Sequence, residues 1–414
     1  MRPLLRLSIF SLVRFFYREV AVSGAPPRSG PVILVANHPN GLVDPAILRV
    51  ALDRSVAFLA KSTLFANPVG HYVMTTFDAL PVYRAKEADT AQNDATFARS
   101  HAILREGGWL ALFPEGISHD FTTLQPLKTG AARIALSSRV TGLQIVPVGI
   151  LYEDKEIFRS RVALAFGTPI EVPAGDPEDP ATVRALTGQI SDALGELVLQ
   201  AENQELLRGF VAVARWSTDG DLAAVDRRAR ALAEAWRDWS ARDPERVAAI
   251  VERVRHFVRV LEAVGITDPL ALDEPPRSPL RTVLPLLLLA PVALVGALLA
   301  WVPYRLVRPL SERLAGGHTD LIGTFKAVLG AQVLGVTWLL ESALAAWVNP
   351  WLGLAIFLLA PICARVALWW GEQLDLRREA LHAGWLTANR TKIAAAVSER
   401  RQALVAEIDA MLKR

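Results

Sequence analysis

Pro31-Val-Ile-Leu-Val-Ala-Asn-His-Pro-Asn-Gly-Leu-Val-Asp-Pro45 runs from an unbroken apolar stretch into a turn that carries one imidazole and one carboxylate. Apolar residues at every position, rather than at alternate ones, mark a strand buried on both faces. A strand of that kind needs helices above and below it. Comparable β-rich runs recur at residues 55–60, 79–83, 109–113, 144–151 and 162–166, with helical patterns at 88–105 and 129–139. The expected architecture is therefore α/β, an αβα-layered domain, with reactive groups in the loops beyond the strand ends.

Two such loops hold chemistry. In the first, His38 follows the buried run and Asp44 lies six positions on. A neutral imidazole takes a proton from a hydroxyl near neutral pH, and a carboxylate on its other nitrogen fixes tautomer and orientation. Asp44-Pro45 also reads as a helix start, with Asp as N-cap and Pro at the first helical position. In the second loop, Phe113-Pro-Glu-Gly-Ile-Ser-His-Asp120, Glu115 ends a β-run and Gly116 permits close backbone approach to an anion. Glu115 is expected to orient Arg84 or to accept a hydrogen bond from a substrate hydroxyl. Arg84 and Lys61, each just after a strand, and then Lys128, are the cations expected near a phosphate. Ser118-His119-Asp120 cannot form a triad within itself, because adjacent side chains diverge. No G-x-S-x-G elbow is present, and the seven histidines show no paired ligand spacing, so no metal is expected.

Hydrophobic residues make up 52% of the 414, and the mean hydropathy of +0.28 points to membrane contact. A net charge of only +3 gives no reason to expect nucleic acid as a partner, and a single cysteine, Cys363, excludes an intrachain disulfide. Residues 1–24 are expected to form an amphipathic helix at the membrane interface; Arg6 and Arg14 interrupt any secretory core. The catalytic domain is expected over 25–175 and a helical extension over 176–276, with helices opening at Asp179-Pro180 and Asp243-Pro244. Residues 277–372 read as membrane-embedded helices, including a hairpin over 327–370 that turns at Val348-Asn349-Pro350. Residues 373–414 read as a C-terminal amphipathic helix. Arginines flank these segments while the hairpin turn has none, so the catalytic side is expected to face the cytoplasm at the cell membrane. Three full crossings would break that parity. A re-entrant bend near Pro291 is therefore expected in residues 282–302.

Asn37-His38 with Asp44, Val82-Tyr83-Arg84, Phe113-Pro-Glu-Gly116 and Val146-Pro-Val148 occur in the order of the four blocks of PlsC-like glycerolipid acyltransferases. The chain resembles that family over about residues 10–172. The wording of Phe113–Asp120, of Leu124-Gln-Pro-Leu-Lys-Thr-Gly130 and of Asp320-Leu-Ile-Gly-Thr-Phe-Lys326 is similar to the branch holding fungal-type glycerol-3-phosphate/dihydroxyacetone-phosphate acyltransferases. The resemblance implies a mixed sheet, His38 as general base and Asp44 as its partner. It implies that Arg84, Glu115, Gly116, Lys61 and Ser118 bind the acceptor's phosphate. The acceptor would be glycerol 3-phosphate or its 1-acyl derivative, and the donor acyl-CoA or acyl-carrier protein, with no other cofactor. Rival readings are another lysolipid acceptor, an inactive lipid-binding protein, or a thioester or lipid hydrolase. Two departures stand out: five residues separate His38 from Asp44 where most members have four, and no arginine follows Glu115-Gly116.

Overall fold

A computed structural model describes residues 11–52, 54–83, 93–218, 220–273 and 279–412. The chain divides into two compact units. The first comprises Met1–Leu207, Asp221–Arg230 and Gly317–Ala327, and the second comprises the remainder.

In the first unit eight strands form one mixed sheet. They are β1 (Glu19–Ser23), β2 (Val32–Ala36), β3 (Ala57–Lys61), β4 (Ala79–Val82), β5 (Trp109–Leu112), β6 (Gln144–Tyr152), β7 (Arg161–Phe166) and β8 (Ile170–Glu171). The order is β1-β7-β6-β2-β5-β3-β4, with β8 paired to β6. From β6 to β4 the neighbours run parallel, while β7 and β8 run antiparallel to β6. β2 is the central strand and all five of its residues are buried.

Its pleat divides the core. Val32, Leu34 and Ala36 face one layer with Ile47 of helix α1 (Val43–Ala51) and Met74 of α2 (Pro68–Thr76). Ile33 and Val35 face the other. That second layer holds Leu104 of α3 (Asn93–Arg105), Ile134 of α4 (Gly130–Ser138) and Ile190 of α5 (Pro180–Gly195). The αβα layering and the mixed sheet are as expected.

One boundary differs. The interfacial helix expected through residue 24 ends at residue 16, and Glu19–Ser23 is instead an edge strand. Val13, Phe16 and Tyr17 are buried in the same core layer as β2, so this end of the segment packs on its own domain. The first ten residues lie outside the described set.

Helices α6 (Gln204–Arg215) and α7 (Leu222–Arg242) come next in the chain, and in the second unit α8 (Pro244–Val264) starts after Asp243, whose carboxylate caps Arg246 N, and stops at Gly265 with φ +75°. Asp179 caps α5 in the same way. Both Asp-Pro helix starts were thus legible. The apolar segments form α9 (Pro279–Leu299), α10 (Trp301–Ala315), α11 (Thr319–Val348) and α12 (Pro350–Asn389), and α13 (Thr391–Leu412) ends the chain. Leu321–Val348 and Pro350–Asn389 are long and apolar enough to cross a membrane. Asn349 caps the second of these, and Trp338 stacks on Phe357 with ring centroids 4.9 Å apart, which makes the pair an antiparallel hairpin.

The bend expected near Pro291 lies elsewhere: α9 carries Pro285 and Pro291 inside it, and a 46° bend falls at Ala300, between α9 and α10. Pro303 stands in the first turn of α10, where a missing N–H costs nothing. The helix boundary expected at residue 372 also moves, because α12 runs unbroken to Asn389. α13 buries Ala394, Val397, Arg401, Leu404 and Ile408, a stripe at 3–4-residue spacing.

Candidate active site

The parallel register of β2 with β5 sets Val35 opposite Leu112. Three residues further along each chain, His38 and Glu115 therefore emerge side by side at one edge of the sheet. The same register logic sets Ala36 opposite Val148 of β6, so the end of β6 borders His38 from the other flank. The Asn37 side chain locks that junction. Its amide nitrogen donates to Ile150 O at 3.0 Å, and its oxygen accepts from Ile150 N at 2.7 Å.

His38 Nδ1 lies 2.8 Å from Asp44 Oδ2, so the extra residue in the spacing does not prevent the contact. Gly41, with φ +34°, helps to fold the intervening turn. Asp44 is 0% exposed and takes two further donors, Asn40 N at 2.8 Å and the Tyr152 hydroxyl at 2.5 Å. The N-cap reading of Asp44 fails. α1 begins at Val43, its cap is Leu42, and no side chain caps it. The carboxylate is turned into the loop to organise it, and Pro45 occupies the first turn.

With Nδ1 donating to Asp44, the lone pair of His38 sits on Nε2, which meets no hydrogen-bond partner among the described residues. The ring stacks on Phe113 with centroids 4.0 Å apart and planes 12° from parallel. It is held at one nitrogen and one face and open at the other nitrogen, which is the geometry a general base needs.

Glu115 is held by contacts within the protein. It is 2% exposed, and its carboxylate accepts from His38 N at 3.2 Å, His119 Nε2 at 2.6 Å and Gln125 N at 2.7 Å. Glu115 ties the two loops together. His119 adds a second tie, because its backbone N–H donates to His38 O at 3.1 Å. Gly116 adopts φ +75°, and its amide donates to Phe113 O at 3.0 Å, so the glycine serves the turn. A Cβ there would meet Lys128 Cγ at 3.5 Å.

Behind the dyad stands a phenol network. Asn40 Nδ2 donates to the Tyr17 hydroxyl at 3.0 Å, and that hydroxyl donates to Lys155 O at 3.2 Å. Lys155 donates to Pro39 O at 2.9 Å and pairs with Asp120. Burial and the adjacent Asp44 charge push both phenols, Tyr17 and Tyr152, well above the usual tyrosine range. They stay protonated donors.

A cavity of ≈ 170 Å³ opens beside His38. Polar lining comes from Asn37, His38, Glu115, His119 and Lys155, and apolar lining from Ile150, Leu151, Leu199 and Leu207. Lys61, Gly116 and Ser118 do not line it. Lys61 ends β3 beyond β5 at the same sheet edge, and Arg84 lies outside the described residues. The structure thus gathers His38, Asp44 and Glu115. It adds Tyr152, His119, Asn40 and Lys155, which sequence reasoning had not given a role.

Residues 19–151 match the acyltransferase family model. An uncharacterized acyltransferase of Schizosaccharomyces pombe is 27% identical over 302 residues, covering 49% of this chain and 45% of that protein. Glycerol-3-phosphate O-acyltransferase 1 of Saccharomyces cerevisiae is 25% identical over 307 residues, covering 50% and 40%. The 1-acyl-sn-glycerol-3-phosphate acyltransferase of Borreliella burgdorferi is 26% identical over 156 residues, covering 37% and 59%. The chain spans less than half the length of the two yeast proteins it matches.

Proposed function

We propose that this chain, which carries an acyltransferase-family domain over residues 19–151, moves a fatty acyl group from a thioester to a hydroxyl of a glycerol phosphate. The observation that carries this reading is the His38–Asp44 pair at 2.8 Å, with its open nitrogen beside a cavity. Nε2 removes the proton of the acceptor hydroxyl as its oxygen attacks the thioester carbonyl. The tetrahedral intermediate collapses by breaking the C–S bond, and the imidazolium returns its proton to the departing thiolate. Products are an oxygen ester and a free thiol, with no acyl-enzyme. Asp44 stabilises the transient imidazolium and holds the tautomer.

The acceptor is glycerol 3-phosphate or its 1-acyl derivative, and the donor is acyl-CoA or acyl-carrier protein. Both yeast and Borreliella relatives bear names of this class. Lys61, at the end of β3, and Arg84, two positions after β4 in the sequence, are assigned to the acceptor's phosphate. Arginine's fork suits it, and a second cation lowers the cost of bringing a dianion to the site. Two helices able to cross a membrane fit a lipid product, with the catalytic unit on the cytoplasmic face.

The test is thiol release by the purified full chain from acyl-CoA and from acyl-carrier protein, with each acceptor in turn. Release that depends on an acceptor and yields its ester supports the reading. Equal release in water alone would make the protein a thioester hydrolase.

A further inference from the structure

Asp44 receives three donors in a site with no exposure, and two of the donor residues, His38 and Tyr152, also line the cavity. Asn40 N is part of the same loop and is fixed by the turn. Tyr152 comes from the end of β6, 108 residues away in sequence, and makes the shortest of the three contacts at 2.5 Å. A fold that needed only to hold Asp44 in place already has the loop amide. The phenol adds a neutral donor to a buried negative charge, and a donor of that kind draws charge away from the imidazole on the opposite side.

We propose that Tyr152 is a positioning residue that acts through Asp44 to set the proton affinity of His38. The inference rests on the acyl-transfer reading above. The sign follows from electrostatics. Removing the phenolic O–H leaves the Asp44 charge less compensated, which favours the imidazolium and raises the affinity of His38 for its proton. Only the neutral ring is a base, so activity is then lost at a higher pH on the acid side. Other charged and titratable groups face the pair. Glu115 lies under the His38 amide, His119 lines the cavity, Lys155 is bound to Pro39 O with Asp120 on its ammonium, and Tyr17 lies behind Asn40. Tyr17 also packs against the Tyr152 ring, with centroids 5.5 Å apart, and all of these groups are retained in the variant.

The experiment is the pH profile of kcat/KM for acyl transfer, measured on the full chain with wild type and Tyr152→Phe. The acid limb is expected to move up by about half a unit to one unit, the scale of one hydrogen bond to a charged acceptor partly transmitted through it. A second form with 3-fluorotyrosine at 152, a stronger donor of nearly unchanged bulk, is expected to move the limb down. It keeps the test decisive if Tyr152→Phe fails to fold. Limbs that coincide with wild type, whatever happens to the plateau rate, overturn the assignment to Tyr152 alone. A wild type that transfers to no acceptor removes the acyl-transfer reading and this inference with it.

Discussion

Glu115→Gln separates two roles that the sequence could not distinguish. The substitution keeps the side chain's shape and exchanges one carboxylate oxygen for NH2. One oxygen receives His119 Nε2 at 2.6 Å and Gln125 N at 2.7 Å, and the other receives His38 N at 3.2 Å. The single amide oxygen sits best where two donors converge, which leaves the new NH2 aimed at the His38 N–H. Two donors then face each other at a side chain only 2% exposed. An unsatisfied buried donor costs about 1–3 kcal/mol, and the two surviving bonds lose their charged acceptor. If that cost falls on the placement of His38, kcat drops about five- to 140-fold at roughly 1.4 kcal/mol per decade. The assay is initial thiol release over a range of acceptor concentrations at saturating donor, with thermal unfolding of the same preparation. An organising role predicts lower kcat, lower Tm and an acceptor KM within about twofold of wild type. A large rise in acceptor KM with kcat and Tm unchanged would refute this reasoning and put the carboxylate on the acceptor.

Two further outcomes follow from local geometry. A Cβ on Gly323 would lie 2.6 Å from Lys155 O and 2.8 Å from Asn40 Oδ1, so Gly323→Ala should shift the loop that anchors Asp44. Overpacking of that kind costs about 1–3 kcal/mol and should lower kcat and Tm together. Equal Tm and kcat would show the loop to be pliable. Asp179, hydrogen-bonded to Thr182 and Ala181, has its carboxyl held below the usual range. Its contribution to α5 is present above the unfolded value of about 4 and fades as pH falls through the lower folded value. The Tm gap between wild type and Asp179→Ala should therefore shrink in acid, and a gap that widens there would contradict the capping account.

Much of this arrangement is written locally. β2 is legible because both faces are buried, which leaves no polar alternation to confuse it, and Asp-Pro pairs mark two helix starts through the cap's own hydrogen bonds. His38 and Asp44 are legible because one loop holds both partners. β1 is not, because Glu19-Val-Ala-Val-Ser23 is an edge strand whose mix of exposed and half-buried positions continues the amphipathic look of the preceding residues. The loop-tying contacts of Glu115 are not legible, because two of its three donors are backbone amides, which sequence spacing does not display. Tyr152 and Lys155 reach the site through the pairing of β6 with β2, a tertiary fact with no local signal. The bend at Ala300 is not legible from proline content alone, because Pro285 and Pro291 are accommodated inside α9, while Pro303 stands in the first turn of the next helix.

Acceptor-dependent thiol release by His38→Ala, set beside wild type in the same membranes, tests the proton-abstraction claim most directly. A fall of about 100- to 10,000-fold, with the fold retained, is the expected result. Transfer at the wild-type rate without the imidazole would contradict it.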